Sequence, residues 1–281
     1  MSSERAVSVR DEAATAPERG DRYRRFARRL PWSAGGRRAL LSILLGLVAW
    51  ELVARFVVNN PAFLAAPSAV AVRFWQMLGD GEVLYHCSVS GQEFLLGFLL
   101  GSTAGILIGT LMAISQPVHD FLDPWISAMY AAPIIALAPL VILWFGIGIP
   151  SKVAVVFSLV VFPMVINTEA GVRSVDRHLI EMARSFGARM PRVFTTVSLP
   201  GALPFIVSGL RIGVGRGLIG VVVGELFGAR AGLGYLITNA NQVFDMATLF
   251  VSVAILAAAG IVLTAALQRV ERRLDAWREA S

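Results

Sequence analysis

The sequence predicts an all-α integral membrane protein with six transmembrane helices. Two observations carry that fold class. Of its 281 residues, 56% are hydrophobic and only 16% charged, where soluble domains carry about 25% charged residues. The charges are also segregated: residues 1–38 hold ten Arg and five acidic residues, 173–192 five Arg and two acidic, and 269–281 four Arg and three acidic. Phe94–Val118, Pro124–Ser151, Val153–Thr168 and Met246–Gln268 contain no Lys, Arg, Asp or Glu. Most of these runs reach the roughly 20 residues that cross a hydrocarbon core as helix, and all exceed the roughly 4–8 residues of a buried strand. The composition excludes a disordered chain and a nucleic-acid-coating protein.

Taken in order, residues 1–37 read as a basic, flexible cytoplasmic arm near anionic headgroups. A cleaved signal peptide is not expected, because the first apolar run begins only at Ala39. The six-span domain occupies 38–268, with spans at about 38–58, 93–115, 124–146, 152–172, 203–228 and 246–268, and 269–281 forms a tail. Residues 1–38, the 173–202 loop and the tail contain 19 basic residues, whereas the opposite loops offer only Arg73, Lys152 and Arg230. Positive residues mark the cytoplasmic face, so both termini and the 173–202 loop are expected there. After the first span, Pro67–Ser68 followed by Ala69–Leu78 predicts an N-capped amphipathic helix at the interface, with Phe74, Trp75 and Met77 facing lipid or protein.

Within the spans, Gly97, Gly101, Gly105 and Gly109 recur every four residues, and the fifth span repeats the device at Gly209, Gly213, Gly217, Gly220, Gly224 and Gly228. Such ridges let helix backbones approach closely. Pro133 and Pro139 each remove a donor and predict a kink in the third span. Charges inside spans usually face protein or water. Glu51 and Arg55, four apart, are expected to pair. Arg211 is expected to snorkel or to bind carbonyls at the inner end. Arg216 lies deeper; either it lines a pathway for anionic or polar solutes, or it is buried against Glu225, Glu169, Asn167 or freed carbonyls. Arg216, Arg211, Asn167 and Glu225 are thus the pathway candidates.

Enzyme chemistry finds no support. The single lysine, Lys152, follows Pro150–Ser151 rather than a glycine-rich loop, so there is no Walker A motif. His86, His119 and His178 show no metal-ligand spacing, and no G-x-S-x-G elbow occurs. Neither a catalytic site, a metal nor a cofactor is expected, and with Cys87 alone no internal disulfide is possible.

The most informative segment is the loop after the fourth span. Asp176 can cap a short helix on which Leu179, Ala183 and Phe186 share a face, and Gly187 can close it in the left-handed conformation. Pro191 suits the first turn of a second short helix, and Pro200 is expected to end it. A basic, amphipathic hairpin of this kind is suited either to docking on a partner or to remaining a solvated loop.

The spacing Glu181-Met-Ala183, Gly187 and Val197-Ser-Leu199-Pro200 resembles the EAA loop of permease subunits of ATP-binding-cassette importers, with Met182 where alanine is common. Leu137–Gly146, Gly209-Leu-Arg211, Gly224-Glu225 and Gly232-Leu-Gly-Tyr235 are similar to the nitrate/sulfonate/taurine branch, and the likeness spans about residues 64–278. It implies a type I importer permease fold in a bacterial inner membrane. It also implies that two permease copies, as a homodimer or a pair of similar chains, work with two separate ATPase subunits and a solute-binding protein. On that resemblance Leu179–Ala188 is the coupling helix, with Leu179, Glu181, Ala183, Phe186 and Gly187 shaping its contact with the ATPase. Glu93 before Gly97-Phe98, with Ala132–Pro139, looks more like permeases for thiamine pyrimidine precursors or riboflavin. A membrane scaffold anchoring a cytoplasmic complex through the same loop is the alternative of another class. A secondary transporter would need repeated halves and ion-coupling residues, and neither is evident.

Overall fold

The computed structural model describes the backbone of residues 32–279 and side chains within 36–271. The expected basic arm therefore lies mostly outside the described residues, as do the side chains of most of the tail. Every regular element among the described residues is helical. Two compact units meet in sequence at Val57 and Val58. The first contains α1 (Trp32–Leu52), which loosens into a π turn, Val53–Val58. Here Arg55 Nε lies 2.5 Å from Glu51 Oε1, the i,i+4 pair expected from the sequence.

The second unit runs through α2 (Pro67–Gly79), α3 (Glu82–Ile114), α4 (Gln116–Ala131), α5 (Ala138–Phe145) and α6 (Ile149–Arg173). It continues with α7 (Arg177–Ser185), α8 (Met190–Val193), α9 (Leu199–Leu226), α10 (Leu233–Gln242) and α11 (Met246–Glu279). Its core is α6, held between two glycine-ridged helices. A side chain at Gly97 would strike Val156, one at Gly101 Val160, one at Gly105 Met164 and one at Gly109 Thr168. Two four-residue ladders are therefore in step, one of glycines on α3 and one of side chains on α6. From the other side Gly209 faces Met164 and Asn167, Gly217 faces Phe94 and Val160, and Gly220 faces Val156 and Leu159. Val156, Val160 and Met164 are fully buried as a result. This close approach replaces the hydrophobic drive that lipid does not supply between helices.

Several elements differ from the sequence expectation. The third span is not one kinked helix: α4 and the Ile134–Phe145 segment meet at 84°. Ala132, forced out of the helical region by the following proline, is extended at φ −66°, ψ 145°. A 3₁₀ turn, Ile134–Leu137, then leads into α5, where Pro139 occupies the first turn and Gly146 terminates the helix at φ +77°. Pro200 does not end a helix. It sits in the first turn of α9, directly after a π turn, Phe194–Ser198, that joins α8 to α9 as a continuous run from Met190. The second span begins earlier than residue 93, because its polar start, Glu82 to Gln92, is helical as well.

Helix α2 forms as expected, yet Ser68 does not cap it; Ala66 holds the cap position and Pro67 opens the helix. Met77 is buried against Val83, Leu233, Leu236 and Val251, while Trp75 points outward. Helix α10, between the last two spans, has no counterpart in the sequence reading.

Candidate coupling and translocation sites

The hairpin between α6 and α9 is built from local rules. Asp176 Oδ1 accepts the His178 N–H at 2.9 Å, which caps α7. At the other end Gly187 takes φ +82°, Phe186 N–H donates to Met182 O, and Ala188 N–H to Ala183 O. These bonds satisfy the last carbonyls and reverse the chain. Ala183 is half-buried, whereas Leu179, Glu181 and Met182 are exposed and Phe186 is 85% exposed. A short helix thus presents large apolar side chains with nothing covering them. An open recess of about 680 Å³ lies beside them, lined by Ala183, Phe186, Gly187, Arg189 and Pro191.

The root of the hairpin is fastened to three long helices. Arg173 Nη2 donates to Met112 O at the end of α3, and Arg173 Nε lies 3.1 Å from Glu169 on α6. His119 on α4 approaches the same carboxylate at 2.6 Å. Val175 packs where a side chain on Gly201 of α9 would sit. The root of α7 is therefore tied to α3, α6 and α9 together.

The four pathway candidates are not brought together. Arg211 binds Glu271 of α11 rather than carbonyls or the interface. Asn167 Nδ2 donates to Pro163 O within its own helix. Glu225 is buried on the far side of the bundle: its carboxylate accepts Ser90 Oγ–H at 2.6 Å and the Gly234 N–H. There Ser90 Oγ also accepts the Leu233 N–H and His86 Nδ1 accepts the Gly232 N–H. The Lys152 ammonium lies 3.6 Å from the buried Glu93 in the same region. Arg216 pairs with none of the partners considered from sequence. Its Nη2 donates to Tyr130 Oη at 3.0 Å, and its Cζ lies 4.5 Å from the centre of the Tyr130 ring. Tyr130, Lys152, Ser90 and His86 went unnoticed as participants because their partners lie 59 to 146 residues away and leave no local pattern. Among the described residues no three His, Cys, Asp or Glu side chains converge as a metal site.

Two glycine ridges, a broken membrane helix and an anchored hairpin thus make up the described bundle. Residues 101–278 match the family described as binding-protein-dependent transport system inner membrane component. The chain belongs to that family. This permease is 33% identical over 246 residues to the putative aliphatic sulfonates transport permease protein of Bacillus subtilis, covering 88% of this chain and 89% of that one. It is 38% identical over 258 residues to the riboflavin transport system permease protein of Chloroflexus aurantiacus, covering 92% and 95%. It is 35% identical over 239 residues to the formylaminopyrimidine transport permease protein of Halalkalibacterium halodurans, covering 85% and 95%. Among solved structures, an inward-facing methionine ABC transporter, MetNI, superposes with a TM-score of 0.59 at 18% identity, covering 67% of the permease and 94% of that chain. An amino acid ABC transporter gives 0.55 at 19%, covering 72% and 96%. These share the fold. The permease is accordingly the membrane-spanning, pore-forming component of an ABC importer, in which ATP is hydrolysed by a separate subunit.

Proposed function

We propose that the permease moves a small polar or anionic solute, of the nitrate, sulfonate or taurine type, delivered by an extracytoplasmic binding protein. Two copies form the pathway and two ATPase subunits drive it. In this arrangement α7 is the coupling helix: Leu179, Met182 and Phe186 enter the ATPase, Glu181 and Ala183 fix the register, and Gly187 sets the reversal. The observation that carries the proposal is the hairpin itself, with Phe186 85% exposed at its tip and Arg173 holding its root to α3 and α6. The 19 basic residues of positions 1–38, the 173–202 loop and the tail support placing that side and both termini in the cytoplasm of a bacterial inner membrane.

Anionic cargo is favoured by Arg216, which is placed inside α9 with a neutral phenol as its side-chain partner. The relatives favour a second cargo class, since a riboflavin and a formylaminopyrimidine permease match as well as the sulfonate one. The decisive experiment reconstitutes the permease with its ATPase and binding protein in proteoliposomes. Taurine and ethanesulfonate are compared with riboflavin and formylaminopyrimidine for stimulated ATP hydrolysis and uptake. An importer gives solute-dependent hydrolysis; a membrane scaffold retains the partner and shows none.

A further inference from the structure

Among the described residues Arg216 is a charge without a counter-charge. It lies 13 residues into the span predicted to start at 203, about 20 Å along a helix axis, which is near the middle of a bilayer core of about 30 Å. Among the described residues no carboxylate comes within ion-pair distance of it, and the carboxylates of the neighbouring helices are engaged elsewhere. Glu225 is held by Ser90 and Gly234, Glu93 faces Lys152, Glu169 holds His119 and Arg173, and Glu271 binds Arg211. A guanidinium has five N–H donors, and Tyr130 is the side-chain partner of one of them. Ionisable groups at such depth normally pair or serve a pathway.

Tyr130 is equally informative. It lies in the last turn of α4, two residues before the break at Ala132–Pro133, and it is 39% exposed. Backbone that leaves the helical form at membrane depth is tolerated where it is buried in protein or borders a water-filled space. With Arg216 half-buried and Tyr130 open, the pair lies at the surface of the bundle beside the broken backbone rather than in the core. Both contacts to the phenol are weak ones for a cation, a neutral hydrogen bond and a ring face, so a true anion outcompetes them.

We infer that Tyr130 is a displaceable cap on an oxyanion station at Arg216, and that the ligand class is a small organic sulfonate, carboxylate or comparable oxyanion. In the resting molecule the phenol oxygen and ring occupy the guanidinium. An arriving oxyanion takes two parallel N–H donors from Arg216, and the Tyr130 ring leaves the cation. The inference rests on the proposal that Arg216 lines the pathway, and it adds Tyr130 as the residue that sets the affinity of the station.

Ser127, exposed and one turn before Tyr130 on the same face of α4, provides a reporter. In the full permease–ATPase complex in membrane vesicles, with Cys87→Ser, a Ser127→Cys thiol is reacted with two methanethiosulfonates. One carries a sulfonate, so it is itself a small oxyanion, and the other a trimethylammonium group. The ratio of their rates is expected to favour the sulfonate, to rise at least about threefold in Tyr130→Ala, and to collapse in Arg216→Gln, as a local potential of either sign would dictate. Tyr130→Phe, which keeps the ring and its packing, raises the ratio by less. An unchanged ratio in both Tyr130 variants overturns the cap; if Arg216→Gln still lowers the ratio, the pathway assignment survives that failure. A thiol that neither reagent reaches in any nucleotide state overturns both.

Discussion

The carboxylate of Glu225, near the end of α9, accepts the backbone N–H of Gly234, the second residue of α10. The chain can make this return because Gly232 and Gly234 have no Cβ; a side chain at either would collide with the Glu225 carboxylate. Ser90 Oγ–H donates to the other oxygen, so α3, α9 and the 232–235 segment share one buried acceptor.

Glu225→Gln replaces one acceptor oxygen with a donor that must face an N–H or O–H. The expected cost is about 1–3 kcal/mol, the penalty of leaving a buried polar group unmatched. Thermal melting of the detergent-solubilised permease checks it: Tm falls in Glu225→Gln and by less in Ser90→Ala. An unaltered Tm in Glu225→Gln removes the clamp from the account of the fold.

Glycine at 97 is required by packing, whereas glycine at 91 is not. A methyl at Gly97 would lie 2.5 Å from Val156 Cβ and 2.9 Å from Val153 O, while one at Gly91 meets nothing within 4 Å. Gly97→Ala should lose about 1–3 kcal/mol by overpacking, and Gly91→Ala should be neutral or gain up to about 1 kcal/mol in helix propensity. The folded fraction in size-exclusion chromatography after heating distinguishes the two, and equal behaviour would contradict the ladder of α3 on α6.

Outside the spans, Asp245 joins α2 to the start of α11. Burial pushes its carboxyl up, but the Thr248 hydroxyl at 2.6 Å, the Thr248 N–H at 3.1 Å and Arg73 at 3.9 Å outweigh burial and hold it below the ordinary range. A depressed carboxyl contributes stability that is present above its unfolded pKa, about 3.9, and is lost as pH falls through the folded value. Asp245→Asn should therefore melt below wild type at pH 7, and the two curves should converge as pH falls through the depressed folded value. A gap that persists undiminished in acid would mean that the contact does not depend on charge.

Much of this was legible in the sequence because it is local or periodic. The four-residue spacing of Gly97, Gly101, Gly105 and Gly109 announced a packing ridge, and Asp176 and Gly187 announced the two ends of α7. The partners were not legible. Nothing near Arg216 points to Tyr130, and Arg211 had a plausible local solution that Glu271, 60 residues on, displaced. Proline was the least reliable sign. Pro133 produced a break of 84° where a kink was expected, while Pro200, expected to stop a helix, opens one. A proline's effect depends on whether the carbonyl and N–H it disturbs would have been paired, and only the flanking turn decides that.

The Arg173–Glu169–His119 cluster joins the root of the hairpin to α6 and α4. Glu169→Gln keeps the shape and removes the charge, so solute transport should slow several-fold with the ATPase still bound, since the hairpin then moves without its spans. Co-purification of the ATPase beside initial uptake rates tests this. Loss of the ATPase itself would show that Glu169 serves docking instead.

The proposed function requires the hairpin to convert ATP hydrolysis into movement of the spans, and Gly187 is where that requirement is most open to test. At φ +82° a β-branched residue is strained, yet a side chain there meets nothing within 4 Å, so Gly187→Val reshapes the tip of α7 without touching the bundle. The measurement is solute imported per ATP hydrolysed in proteoliposomes containing the complete importer. The expected result is normal insertion and continued hydrolysis with at least about a tenfold loss of coupled uptake, the size of effect that about 1.4 kcal/mol at the interface produces. Wild-type uptake per ATP in Gly187→Val would contradict it.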